Sequence, residues 1–239
     1  MLAVMRKIMA ALALAAAFAA PAAAAERTYS VTDFDRVWIE GPFTVRLTSG
    51  RPAAASATGS PQALDRVSIA VESGVLRIRP NRSAWSGYPG AAAGPVAIEI
   101  STRAVRAATV LGAGSLAIDR ASGMRVDLNL EGSGRIAVPA VAVDRLVVGV
   151  IGSGRIQLAG TAADLRASVH GWADLDAAAL RTQAAQIVTD SAGRIAVGVE
   201  REATVTASGI GEVEIVGTPA CTLRGLSAAQ VRCGSGQRR

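Results

Sequence analysis

The sequence predicts an all-β chain wound into a parallel β-helix-like solenoid, with coils of about 20 residues and Gly-x-Gly corners. Three observations predict it. A glycine-bearing octet recurs six times at nearly constant spacing. On both sides of each glycine pair, apolar and polar residues alternate with period two, as they do in strands with one buried face. The composition also suits a narrow interior. Of 239 residues 50% are hydrophobic but only 3% aromatic, so a core must be built from Val, Ile, Leu and Ala.

In chain order, Arg6 and Lys7 precede an apolar run over residues 8–20, then Pro21 and the alanines 22–25. A basic start, a short apolar stretch and a small-x-small site read as a secretory signal peptide, residues 1–25. The apolar run is too short to span a bilayer, and no later stretch approaches the roughly 18 apolar residues a span needs. Cleavage after Ala25 leaves Glu26 first and lowers the formal charge from +6 to +4. The expected location is therefore the periplasm or surface of a bacterium. Residues 26–220 read as one solenoid domain and residues 221–239 as a C-terminal cap.

The N-terminal third is less regular. Phe34-Asp35-Arg36-Val37-Trp38-Ile39-Glu40 leads into Gly41-Pro42-Phe43-Thr44-Val45-Arg46-Leu47, a glycine turn followed by a strand, and reads as a diverged first coil. Residues 67–71 and 75–78 form two strands around Ser73-Gly74, a tight-turn signal. Residues 96–100 alternate again. Between them, residues 80–95 are rich in Gly, Pro, Ala and Ser and read as a loop. Trp85 and Tyr88 within it are candidate ligand contacts, because aromatic faces stack on sugars or anchor a partner. Folding back over the solenoid side is the alternative.

The repeat itself occupies the remainder. Its octets include Leu111-Gly112-Ala113-Gly114-Ser115-Leu116-Ala117-Ile118 and Glu131-Gly132-Ser133-Gly134-Arg135-Ile136-Ala137-Val138. The fourth positions fall at 114, 134, 154, 173, 193 and 211, at intervals of 20, 20, 19, 20 and 18. The glycines supply positive φ and a sharp corner. Stacked in register, the coils bring three aliphatic ladders inward. One is Ala108, Leu128, Val148, Ala167, Ile187 and Val205. The second is Leu116, Ile136, Ile156, Leu175, Ile195 and Val213. The third is Ile118, Val138, Leu158, Ala177, Val197 and Ile215. The interposed residues Ala117, Ala137, Gln157, Asp176, Ala196 and Glu214 are expected to face out. Six coils at about 4.8 Å would run roughly 29 Å.

The position after each second glycine carries Ser115, Arg135, Arg155, Asp174, Arg194 and Glu212. In stacked coils these become a surface ladder. Arg135 beside Arg155 repels mildly, and Asp174 is placed to bridge Arg155 and Arg194. The ladder reads either as a solvated charged face or as an anion-binding strip, with Arg135, Arg155, Asp174 and Arg194 as candidate ligand residues. Trp172 breaks the Gly-x-Gly pattern at a corner and is a further candidate, as a capping aromatic or a surface contact. Cys221 and Cys233, with 11 residues between them, are expected to bridge in an oxidising compartment.

With these residues in view, the chain resembles the putative auto-transporter adhesin head, GIN domain family of bacterial envelope proteins. The resemblance rests on Phe34-Asp35-Arg36-Val37, on the run from Gly41 to Leu47 closed by Gly50, on Val75-Leu76-Arg77-Ile78, and on the serial Gly-x-Gly motifs. It covers roughly residues 34 to 217. It implies an all-β, parallel β-helix-like fold and an exported location, and it carries no catalytic residue. The corners at Trp172-Ala173 and Ser191-Ala192 each lack one glycine and are expected to turn differently.

Chemistry is sparse. The lone histidine and two cysteines exclude multi-histidine and Cys₄ metal sites, and no cofactor is expected. Gly112-x-Gly114-x-x-Ala117 matches a dinucleotide fingerprint formally, but a strand follows where a helix is required. No nucleophile elbow, His-Glu-x-x-His or P-loop occurs. His170 occupies a tolerant corner position. Asp174 and Asp176, two apart on one side of a strand, are the best carboxylate pair for a carbohydrate-active lyase or hydrolase. Dispersed arginines and few aromatics argue against nucleic acid. The function expected is therefore a non-enzymatic, adhesin-like envelope protein that binds anionic envelope polysaccharide or another surface protein. A carbohydrate-active enzyme and a purely structural envelope protein are the alternatives. Open solenoid ends are pairing edges, and self-association through the Gly41 end is expected.

Overall fold

The octets form the corners of a parallel β-solenoid of about six turns, roughly 20 residues apart, and strand accounts for 74% of the chain. A computed structural model describes residues 25–81, 94–225, 230–234 and 237–238. The elements begin with β1 (Ala25–Tyr29), β2 (Arg36–Glu40), β3 (Thr44–Ser49) and β4 (Ala54–Gly59), then the short helix α1 (Pro61–Asp65). There follow β5 (Val67–Glu72), β6 (Val75–Pro80), β7 (Ala97–Thr102), β8 (Ala107–Gly112) and β9 (Ser115–Ile118). The long strands are β10 (Ala121–Gly132), β11 (Arg135–Gly152), β12 (Arg155–Gly171), β13 (Asp174–Ser191) and β14 (Arg194–Ala207). Last come β15 (Glu212–Val216), β16 (Ala220–Arg224), β17 (Gln230–Cys233) and β18 (Gln237–Arg238).

Each coil has three runs. In one coil the first run, residues 126–132, reaches the glycine corner. The second run is 135–138, and the third is 141–143 after a break in register between Val138 and Val141. The next coil then begins. Parallel pairing sets every residue beside its equivalent one coil away, as in Leu128, Val148, Ala167, Ile187 and Val205. All eighteen residues of the three expected ladders are buried, none more than 3% exposed. A fourth inward column, Val110, Leu130, Val150, Val169, Thr189 and Ala207, completes the first run. Of the residues expected outside, Ala196 is only 6% exposed. It faces outward, but it is a small side chain sitting between Arg194 and Glu214.

The two corner glycines have different jobs. Gly132 has φ +116°, and a Cβ there would stand 2.6 Å from the Gly112 carbonyl oxygen. Gly114 does not have positive φ, yet a Cβ there would stand 2.6 Å from the Gly41 carbonyl oxygen. Gly112, Gly132, Gly152 and Gly171 are needed for their dihedral, although Gly209 at the last corner is not; the second glycine is needed because neighbouring corners stack almost backbone to backbone. Of the two glycine-poor corners, the one at Trp172-Ala173 turns as the others do, with Gly171 at positive φ and the Trp172 and Asp174 N–H groups bonded to the Gly152 and Gly154 carbonyls; the one at Ser191-Ala192 differs. Ser191 replaces the first glycine, its Oγ donating to the Ala173 carbonyl and accepting from the Gly193 N–H at 3.1 and 3.0 Å.

At the N-terminal end the chain order and the spatial order part. β2 and β3 stack in parallel on β8 and β9, which makes residues 36–49 the diverged coil. That coil is not terminal. β6 and β7 stack in parallel on its other side. β5 pairs antiparallel with β6 through the Ser73-Gly74 hairpin, while β4 and then β1 extend the β7 side antiparallel. The Gly41 edge is thus already occupied, and the expected place of self-association is corrected: a strand paired on both sides has no free donors or acceptors to offer, and among the described residues the strands paired on one side only at this end are β1 and β5. α1, capped by Ser60 accepting from the Ala63 N–H, buries Leu64 at this end. The expected signal peptide lies outside the described residues except for Ala25, the first residue of β1. The loop carrying Trp85 and Tyr88 lies outside them as well.

At the other end β16 stacks on β14 and β17 on β15. Cys221 stands beside the inward Ala203 and Cys233 beside the inward Ile215. The two are disulfide-bonded, with Cα atoms 6.6 Å apart. The bridge therefore ties the first run of the last coil to its second run where the ladders stop, and it packs against the core from there.

Two outcomes test this frame. Gly132→Ala should cost about 3 kcal/mol or more, whereas Gly50→Ala, with φ +82° but no atom within 4 Å of the new Cβ, should cost about 1 kcal/mol. Thermal and urea unfolding of the two variants measures the difference. Replacing Cys221 and Cys233 by Ser should remove about 3 kcal/mol. That loss should be local, so hydrogen exchange should accelerate in β16 and β17 and stay unchanged in β11 and β12.

Candidate functional site

The outward side of the second run bears the candidate residues. One column there is Ser115, Arg135, Arg155, Asp174, Arg194 and Glu212, one rung apart as the repeat predicts. Beside it runs a second column: Arg46, Ala117, Ala137, Gln157, Asp176, Ala196, Glu214 and Arg232. The rungs are about 4.8 Å apart. Both columns are straight because every side chain sits on a strand in fixed parallel register.

Ion pairs neutralise much of the first column. Arg155 donates to one Asp174 carboxylate oxygen through Nη2 at 2.6 Å and Nε at 3.2 Å. The other carboxylate oxygen accepts the Arg194 backbone N–H at 2.9 Å. Asp174 thus bridges its two neighbours, although it holds Arg194 by the main chain. The Arg194 guanidinium reaches across to Glu214 at 2.7 Å instead. Glu212 pairs with Arg232 at 2.6 Å. Arg135 is the ladder arginine without an ion pair among the described residues. Partial burial pushes the Asp174 carboxyl up, but the Arg194 N–H and the Arg155 guanidinium outweigh it and hold the group below the usual carboxylate range.

Two concavities lie along these columns. The larger, about 600 Å³, follows the second column over Ala117 and Ala137, with Pro139, Ala159 and Ala179 on one flank. Arg46 stands at one end, with Gln157 and Asp176 at the other. The smaller, about 320 Å³, continues from Asp176 and brings together Arg155, Asp174, Arg194 and Glu214 over Ala196. The structure therefore gathers three of the expected site residues, Arg155, Asp174 and Arg194, in one groove. Arg135 lies in the same column but lines neither concavity. Trp172 stands on the corner ridge, 73% exposed, outside both. The position of Trp85 and Tyr88 lies outside the described residues.

Arg46 and Glu214 were not expected as site residues, whereas Asp176 was expected as the carboxylate partner of Asp174 and Gln157 as an outward neighbour beside it. Their signal was in the interposed column, where Ala117 and Ala137 are small enough to leave a trough. His170 Nε2 lies 3.0 Å from Ser168 Oγ, and Asp190 is its neighbour on the next rung. These groups are exposed on a flat sheet surface whose backbone N–H groups serve the ladder. Among the described residues no cluster of His, Cys, Asp or Glu could hold a metal, and no helix is long and apolar enough to cross a membrane.

A family model described as the putative auto-transporter adhesin, head GIN domain, matches residues 33–219. Among solved structures, a putative adhesin from Bacteroides fragilis superposes with a TM-score of 0.82 at 17% identity, over 90% of this chain and 98% of that one. A putative lipid binding protein from Parabacteroides distasonis gives 0.69 at 19% identity, over 89% and 96%. A putative adhesin from Parabacteroides merdae gives 0.65 at 16%, over 87% and 95%. At such identities these likenesses establish the shared fold. No curated protein sequence matches the chain.

The bridging role of Asp174 makes a prediction about acid. Its carboxyl is held below its unfolded value, near 3.9, so its contribution is complete above that pH and is lost as pH falls through the folded value. Asp174→Asn should lower stability at neutral pH by about 1 kcal/mol, a figure discounted for partial exposure. It should also flatten the loss of stability below about pH 4. Urea midpoints measured across acid pH provide the check.

Proposed function

The chain belongs to the putative auto-transporter adhesin head GIN domain family, and from that premise we propose that it is a non-enzymatic, exported, adhesin-like module that binds a polysaccharide of the bacterial envelope or cell surface. The observation that carries the proposal is the smaller, polar groove that opens along the two straight columns of the solenoid. Arg155, Asp174, Arg194 and Glu214 present fixed donors and acceptors there, with geometry maintained by their own ion pairs. Such a set suits the hydroxyl groups of a glycan, which both donate and accept. Asp174 is held ionised, so it is poorly suited to act as the general acid of a glycosidase.

The charge balance defines the expected electrostatics. Arg155 and Arg194 are neutralised by Asp174 and Glu214, which leaves Arg135 as the ladder cation able to attract an acidic polymer. On a glycan array, binding should fall at least about tenfold in Arg155→Ala/Arg194→Ala. Binding should change little between low and moderate salt, and the part that does change should disappear in Arg135→Ser. Loss of all binding at moderate salt would favour a simple polycation strip. Release of unsaturated or reducing-end product from a polysaccharide panel would favour the enzyme.

A further inference from the structure

We propose that the larger groove is an acyl-chain site, so that the protein's ligand is an acylated glycan, with its sugar in the polar groove and its hydrocarbon chain in the apolar one. The proposal rests on the glycan reading of the polar groove and names what adjoins it.

The chemistry of the two concavities differs sharply along one axis. Across four successive coils the floor and flank carry the methyl and methylene groups of Ala117, Ala137, Pro139, Ala159 and Ala179, above the ladder residues Ile118, Val138 and Leu158, with Thr48 and Asp119 beside Ala117 and Gln157 following Ala137 on the floor. Among the described residues that line it, none offers an aromatic face for a sugar to stack on. At about 600 Å³ the groove is of the size that holds small organic ligands. From Arg46 to Gln157 its long axis crosses four rungs, about 14 Å at the parallel strand spacing, room for an extended alkyl chain but not for a folded or branched group. Such a floor gains by shedding water onto hydrocarbon, and gains little from a hydroxyl-rich polymer.

The two grooves meet at Asp176, which lines both. Gln157 and Asp176, exposed and without an ion pair among the described residues, offer a donor and acceptors where sugar and chain would join. The polar groove carries Arg155 and Arg194 against Asp174, Asp176 and Glu214, an excess of one negative charge. An uncharged sugar therefore fits it better than a phosphate or carboxylate head. An occupant with an uncharged hydroxylated head and a straight apolar tail matches both halves in order. A free fatty acid would leave the polar half unused, and a bare glycan would leave the apolar half wet.

Binding of maltose, dodecyl maltoside below its micelle concentration, and dodecanoate to the full chain separates these cases by calorimetry. Dodecyl maltoside should bind at least about tenfold tighter than maltose, because several methylenes leave water. Ala137→Arg, which fills the floor from an outward position, should abolish that advantage while leaving glycan-array binding intact. Circular dichroism and an unchanged unfolding midpoint would show that the variant folds, and Ala117→Gln serves as a second, milder block. Equal affinity for maltose and dodecyl maltoside, or an advantage that survives both variants, would overturn the acyl site and leave the glycan reading standing. Dodecanoate binding as tightly as dodecyl maltoside, with Arg155→Ala/Arg194→Ala neutral, would overturn the glycan reading and with it the acylated glycan.

Discussion

Backbone contact between successive glycine corners is the constraint on which the rest of this molecule depends. The Gly132 corner lies against the Gly112 corner with no room for a Cβ. That approach fixes each coil's height and rotation on its neighbour, so all later positions in the coil inherit one register. Register then acts twice. Inside, it places Leu116, Ile136, Ile156, Leu175, Ile195 and Val213 in a single buried file. Outside, it places Arg155 over Asp174 and Arg194 over the Glu212 rung with the same precision. A one-residue slip would exchange the two sets, since strand side chains alternate.

The repeat was legible because a solenoid writes its geometry locally. Each coil buries the same positions against its neighbours, so the ladders, the corners, the Ser73-Gly74 hairpin and the Cys221–Cys233 pairing could all be read from spacing. The N-terminal order could not. β2 and β3 lie between β6 and β7 on one side and β8 and β9 on the other, an arrangement set by long-range pairing after an antiparallel excursion through β4, α1 and β5. Alternation marks each of these strands but does not say which neighbour it takes. The role of the second glycine was hidden for a related reason. Its need comes from the next coil rather than from its own dihedral.

The candidate site was legible in half. Charge at a repeated position announced the ladder of Arg135, Arg155, Asp174 and Arg194. What that ladder does depended on pairings in the other column, and on a backbone N–H that no sequence pattern reveals. Much of an apparent cationic strip became a set of ion pairs, because Asp174 sits within reach of Arg155 and Glu214 within reach of Arg194. The apolar groove went unread for the opposite reason. Alanine at an outward position looks like neutral filler, and its effect appears only when Arg46, Thr48 and Asp119 rise beside it.

Because coils contact only their neighbours, one surface column can change character along the axis without disturbing the interior beneath it. The second column does so, passing from Arg46 through Ala117 and Ala137 to Gln157, Asp176, Ala196 and Glu214 while the ladders below remain aliphatic throughout. A repeated fold thereby yields a site that is not repeated. Its position follows from substitutions at an outward position that neither corner packing nor core packing constrains. Residues at such positions are free to answer to a ligand. The change from small apolar to charged side chains along this column is therefore a part of the sequence that the fold leaves unexplained, and the ligand with unlike ends proposed above would supply its reason.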